Sequence, residues 1–171
     1  MRPISLQWIP LDGVAVMEAS PASKPKMVDI SQKPTIYREA TAYGRIKLRK
    51  STIEAIKKGL VEKGDPLFVA AIAGIQAVKM TPQLLPMCHP IEITNADVKC
   101  FIEDDSHIGC RAKVRAIART GVEMEALTAV SIALLNIWDM VKKIEKDEHG
   151  LYPETAIEKI IVEEKVKTEL K

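Results

Sequence analysis

The sequence predicts an α+β fold, an antiparallel sheet with helices packed on one face, and three observations carry that expectation. Strand-like segments with period-two alternation occur near both ends and in a central hairpin. Two helix-forming runs separate the first strand from the hairpin, and one long apolar helix separates the hairpin from the last strand. With 171 residues, 47% of them hydrophobic, the chain can bury one substantial core and has the size of a single domain.

Residues 1–26 end in SPASKPK, whose small, polar and proline-containing composition is that of a linker, so a flexible N-terminal extension is expected ahead of a folded domain over 27–171. Pro3, Pro10, Asp12 and Gly13 interrupt the apolar residues of this segment and no basic stretch precedes them; no secretion signal is expected. The segment TIYREATAYGRIKL at 35–48 mixes β-branched, aromatic and charged residues as a half-exposed strand does, with Gly44 as an expected bulge. Ser51 stands before TIEAIKKGL, and Glu54 follows it at the spacing of a capping box, predicting a short helix that ends near Gly59. Asp65-Pro66 repeats the start signal, because Asp caps free amides and Pro fits the first helical position. A second helix is predicted to Met80, closed by Thr81-Pro82.

Residues 91–102 and 108–118 alternate, and Asp104, Asp105 and Ser106 supply the turn of a hairpin between them. On its second strand Arg111, Lys113, Arg115 and Arg119 share one face. Asp97 and Glu103 face the same surface, so a solvated, cross-paired face is expected there and no phosphate site. Gly121 precedes a helix of about 25 residues that runs to Lys146. A last strand near 157–166 follows the polar break DEHGLYPET. The order strand, two helices, hairpin, long helix, strand is that of a ferredoxin-like sandwich.

A formal net charge of +2, made from densely interspersed charges of both signs, gives no general attraction to nucleic acid. The 3 cysteines form no CxxC pair, which suits a reducing compartment; no disulfide framework and no zinc site are expected. The longest uncharged run in a helical pattern, 126–138, falls short of the roughly 20 residues that cross a bilayer, so a cytoplasmic protein without a membrane partner is expected.

The long helix also carries the most informative polar groups. Glu125, Thr128, Asn136, Asp139, Lys142 and Lys143 fall on one side of it. An ordinary solvent face explains such a strip equally well. Glu125 and Asp139 are nevertheless separated by about 21 Å of helix axis, so one small-molecule site can use both only if a second copy of the helix supplies one of them. Pro86-Met87-Cys88-His89-Pro90 holds a thiol beside an imidazole in a rigid connection, where catalysis, ligand binding and a structural His all remain open. GIQAVKMT at 74–81 lacks the second glycine and the Lys-Ser/Thr pair of a phosphate loop and lies inside a helix. Lys63 precedes the second helix start, where a cation and free amides together can hold an anion.

Several segments together resemble the MoaC family across nearly all of residues 27–165. They are MVDIS at 27–31, TxxREA at 35–40, KGDPLFVAAIAGIQAVKMT at 63–81, LLPMCHPI at 84–91, TGVEMEALTA at 120–129 and IWDMVKKIEKD at 137–147. The CHP and TGVEMEAL strings, in this order and spacing, are the most specific. The resemblance implies a ferredoxin-like subunit assembled into a hexamer, a trimer of dimers with active sites at the dimer interface. It implies a lyase of molybdenum cofactor biosynthesis that rearranges 3′,8-cyclo-7,8-dihydroguanosine 5′-triphosphate to cyclic pyranopterin monophosphate and releases pyrophosphate. No cofactor is required, although Mg2+ can accompany the triphosphate.

By the same resemblance Asp139 is the expected general acid/base, Lys63 and Lys142 are catalytic or phosphate-binding, and Met87, Cys88, His89, Met124 and Glu125 bind substrate. Arg38 is a further expected phosphate contact. One departure stands out: the family commonly carries a GGKSG-type tail after its last strand, where this chain reads EKVKTELK. Lys165 or Lys167 is the candidate for that positive charge. The alternative from another class is a module that binds a nucleotide or pterin without turning it over.

Overall fold

The computed structural model describes residues 7–11, 14–18 and 25–170. The linker stretch 20–24 lies outside the described residues. A two-stranded antiparallel hairpin forms from β1 (Gln7–Leu11) and β2 (Val14–Glu18), an element the sequence did not announce.

The main body is a four-stranded antiparallel sheet in the order β4-β5-β3-β6, built from β3 (Ile36–Lys47), β4 (Ile93–Ile102), β5 (His107–Ala118) and β6 (Ala156–Thr168). Helices α1 (Lys50–Lys57) and α2 (Pro66–Leu84) connect β3 to β4, and α3 (Glu123–Glu145) connects β5 to β6. Each connection skips one strand, which is the split β-α-β arrangement of a ferredoxin-like fold.

The core lies between the helices and one face of the sheet. Ala40, Ala42, Ile46, Val114 and Ala116 meet Ala126, Ala129, Val130, Ala133, Leu134 and Ile137 of α3 there. Small residues set the spacing. A Cβ added to Gly44 would stand 2.7 Å from Val130 and 2.9 Å from Leu134, so this glycine lets α3 approach the strand. Gly44 is therefore not the bulge that the sequence suggested: the register shifts fall at Thr41/Ala42 and Arg45/Ile46 in the pairing of β3 with β6.

The Asp65 cap is present, with Oδ1 accepting from the backbone amides of Leu67 and Phe68 at 2.9 and 3.2 Å. The second cap differs. Helix α1 starts one residue before Ser51, Arg49 occupies its cap position, and no side chain caps it. One of its free amides is served from afar, since Arg49 N donates to Oε1 of Glu145 at 3.1 Å, and the same carboxylate accepts from Thr155 Oγ1 through Oε2 at 2.5 Å. Glu145, 0% exposed, thus ties the end of α3 to the start of α1 and the approach to β6. Helix α2 also runs past Thr81-Pro82 to Leu84, because a proline in a last turn forfeits only one internal hydrogen bond.

Cys100 and Cys110, opposite each other in the β4–β5 ladder, are joined by a disulfide, contrary to the expectation drawn from cysteine spacing. Sequence separation hid the pair, because strand register rather than a CxxC motif brings the two residues together. The basic face of β5 is neutralised as expected, although by different partners: Arg111 pairs with Glu163, and Lys113 and Arg115 pair with Glu39.

Helices α2 and α3 are each long and apolar enough to cross a membrane by length and composition. In the fold α3 is instead the central core helix, packed on the sheet. Helix α2 packs against α3 and β4 and leaves Phe68, Ile72 and Leu84 on its outer side, Phe68 with 64% exposure.

Candidate functional site

The two ends of α3 each carry one cluster of the expected site residues. At its C-terminal end Asp139 and Lys142 are one helical turn apart, so their side chains share a face. The loop between α1 and α2 brings in Lys63, whose Nζ donates to Asp139 Oδ2 at 2.5 Å and to its backbone carbonyl at 3.1 Å. Lys142 Nζ lies 2.8 Å from Oδ1. One carboxylate thus bridges two ammonium groups beside an open cavity of about 750 Å3 that Lys63, Asp139, Lys142 and Lys143 help to line. Hydrogen bonds from Lys142 and Lys63 hold the Asp139 carboxyl down, to about 2. Asp139 is therefore ionised near neutral pH, and the two ammonium groups that keep it so also make it a weak proton acceptor while they stay in place.

The other cluster gathers at the start of α3. Met87, Cys88 and His89, from the connection between α2 and β4, face Met124 and Glu125 across a cavity of about 310 Å3. Glu125 is 2% exposed and its Oε2 has no hydrogen-bond partner among the described residues. Burial pushes its carboxyl up, and the Glu123 charge adds to the push. The Cys88 thiol is raised by burial and by Glu125, which keeps it a thiol rather than a nucleophilic thiolate. This end therefore offers a nearly dry carboxyl, an imidazole and apolar walls, an arrangement suited to a flat ligand that carries N–H groups.

Arg38 is placed differently. It lies on β3, is 8% exposed, and donates from Nε to the carbonyl of Ala118 and from Nη2 to that of Arg119, each at 3.4 Å. It supports the loop that starts α3 rather than lining either cavity. Lys165 reaches the same loop from β6, with Nζ 2.6 Å from Glu123 Oε1. Lys26 and Lys33 line the Glu125 cavity, and neither they nor Glu123, the partner of Lys165, were singled out from the sequence. A motif search could have flagged Glu123 within TGVEMEAL, whereas Lys26 and Lys33 carry no spacing signal.

Among the described residues no group of three or more His, Cys, Asp and Glu side chains is placed to hold a metal ion.

The profile of the MoaC family matches residues 27–168. A Pyrococcus abyssi protein is 55% identical over 143 residues, covering 84% of this chain and 89% of its own. A Sulfurisphaera tokodaii protein is 57% identical over 143 residues, 84% of this chain and 94% of its own. A Methanococcoides burtonii protein is 57% identical over 141 residues, 82% of this chain and 88% of its own. Each bears the name "Probable cyclic pyranopterin monophosphate synthase".

Proposed function

The chain belongs to the MoaC family, and on that premise we propose that it is a cyclic pyranopterin monophosphate synthase of molybdenum cofactor biosynthesis. It converts 3′,8-cyclo-7,8-dihydroguanosine 5′-triphosphate to cyclic pyranopterin monophosphate and releases pyrophosphate. The observation that carries this reading is identity of 55–57% to proteins of that name over 84% of the chain. The two clusters on α3 support it, because a nucleotide-derived substrate needs both an N–H-accepting pocket and a cationic, proton-accepting one.

The division of labour follows from the electrostatics. Lys63 and Lys142 stabilise the negative charge that develops as a ribose-derived oxygen closes on the α-phosphorus and the bond to pyrophosphate breaks. Asp139 accepts a proton during ring opening and reclosure once the substrate phosphates have drawn the lysines away, and returns it as the ammonium groups close back on it. Glu125 and His89 hold the ring, with Met87, Cys88 and Met124 as its apolar walls. Any Mg2+ enters with the triphosphate.

Because the clusters sit about 21 Å apart along α3, a working site takes one from each of two chains. The apolar outer side of α2 offers a surface for such pairing, and the full assembly is a hexamer built as a trimer of dimers in the cytoplasm. The chain is a lyase in this reading. Incubating it with the cyclic nucleotide and measuring pyrophosphate tests the assignment: release at a catalytic rate is expected, and saturable binding without release would make it a binding module instead.

A further inference from the structure

The N-terminal hairpin and the edge of β4 each present apolar surface that a folded chain covers. In the two hairpin strands, QWIPL and VAVME, only Gln7 and Glu18 are polar, and the register pairs them with each other. The other pairs are Trp8 with Met17, Ile9 with Val16, Pro10 with Ala15 and Leu11 with Val14. Successive pairs alternate between the two faces of a hairpin, so whichever face turns to a neighbour is apolar. A lone two-stranded hairpin is marginal in water and gains stability by packing on something else. The segment lies outside the family match, which begins at residue 27.

The main sheet has the complementary need. Strand β4 is an edge strand, paired with β5 alone among the described strands. Its second half carries Asp97 and Lys99, charges of the kind that keep an edge from pairing with other chains, whereas residues 93–96 carry none. Beside that uncharged half lies a groove of about 510 Å3, its apolar lining made by Ile75 and Val78 of α2 with Ile91, Ile93 and Ala96. Ile75, Ile91, Ile93 and Ala96 pack against the core yet are only partly buried. The groove is therefore core surface left open at the sheet edge.

Chain connectivity brings the two together. Lys26, Val28 and Ile30 line the Glu125 cavity with Ile91, and Ile91 also lines the groove, so the N-terminal segment joins the body beside it. Seven peptide steps separate Glu18 from Pro25 and span at most about 25 Å, which holds the hairpin close to that point. We propose that the β1–β2 hairpin packs into the groove between α2 and β4 of its own chain and covers the uncharged half of the β4 edge. The β4–β5 register shifts between Ile93 and Asn95, an irregularity that twists this stretch, so the hairpin caps the edge without extending the ladder. Docked there, it anchors residues 26–30 from their N-terminal side, and with them one wall of the Glu125 cavity.

Hydrogen exchange on the full chain reads the cover directly. Ile9→Asp/Val16→Asp sets two carboxylates opposite each other in the hairpin register and breaks the pairing whichever face docks. Amides of residues 93–96 and 26–30 should then exchange about 10-fold faster than in wild type, while those of β6, the opposite edge of the sheet, keep their rates. Unchanged exchange at 93–96, or an equal acceleration on β6, overturns the docking. The occupant is identified by photo-crosslinking, with p-benzoylphenylalanine placed at Trp8 and, separately, at Ile9, one position from each face. Light and heavy-isotope chains are co-refolded, and the crosslinks are mapped by mass analysis. Crosslinks to residues 75–79 or 91–96 within one chain are expected from at least one position. Crosslinks that join light to heavy chains place the hairpin on a second copy and overturn the assignment, as do crosslinks to the outer side of α2 or none from either position. Neither readout depends on turnover, so both hold whatever the reaction.

Discussion

At the start of α3 a carboxyl is buried with one oxygen unpartnered, whereas at its other end a carboxyl stands open between two ammonium groups. Burial raises Glu125, and Lys142 and Lys63 lower Asp139 to about 2. One helix therefore presents an acid that tends to keep its proton and a base that has lost its own. The two environments push the two carboxyls in opposite directions, a contrast that suits acid–base chemistry on a single substrate. The helix separates them too widely for one chain to bring both to one small molecule, so the proposed function requires pairing of copies.

The largest expected effect comes from breaking the open end. Asp139→Asn keeps the shape of the residue and removes its charge, so turnover should fall by about 10²- to 10⁴-fold, while assembly stays intact and the melting temperature falls only slightly because the ion pairs lost are solvent-exposed. Unaltered pyrophosphate release from that variant would remove Asp139 from the mechanism. Lys63→Ala should cost about 10²-fold in kcat, since a cation beside the developing phosphate charge has no substitute. A rise in KM with kcat intact would instead make Lys63 a binding residue only.

The buried end should announce itself through stability. A carboxyl that holds its proton more tightly in the folded chain than in the unfolded one costs stability as pH rises above its ordinary value near 4.5. Glu125→Gln removes that cost, so the variant should melt at or above the wild-type temperature at pH 7, with the difference vanishing by about pH 4. Lower stability of the variant at pH 7 would mean that Glu125 is charged and paired in the working assembly. The smallest effect is a titration. Lys142→Ala should move the Asp139 carboxyl back towards 3.8, its ordinary value, as followed by carboxyl carbon chemical shifts. No movement would assign the depression to Lys63.

Much of this was legible in the chain. Asp65-Pro66 marked the start of α2, the Asp104–Ser106 turn marked the hairpin, and the apolar run after Gly121 marked α3. These are local signals, and local geometry decides them. The errors arose where a distant residue took over a local task. Ser51 and Glu54 have the spacing of a cap, yet Glu145 serves the start of α1 and Glu54 pairs with Lys57 instead. Gly44 looked like a bulge but makes room for α3, a neighbour about 90 residues away in sequence. Periodicity put Glu125 and Asp139 on one polar strip. It could not show that the strip is buried at one end and open at the other, because burial depends on the Met87–His89 connection, which sequence proximity does not reveal. The 76-residue separation between Lys63 and Asp139 hid their contact in the same way.

The shared site is the central claim, and subunit mixing tests it most directly. Glu125→Gln chains and Asp139→Asn chains should each be inactive alone. Co-refolded, they form mixed pairs in which one interface carries both substitutions and the other carries neither. With random pairing, half of the dimers are mixed and half of their sites are intact, so activity should return to about a quarter of the wild-type value. A mixture that stays inactive, although mass analysis confirms exchanged subunits, would contradict the account.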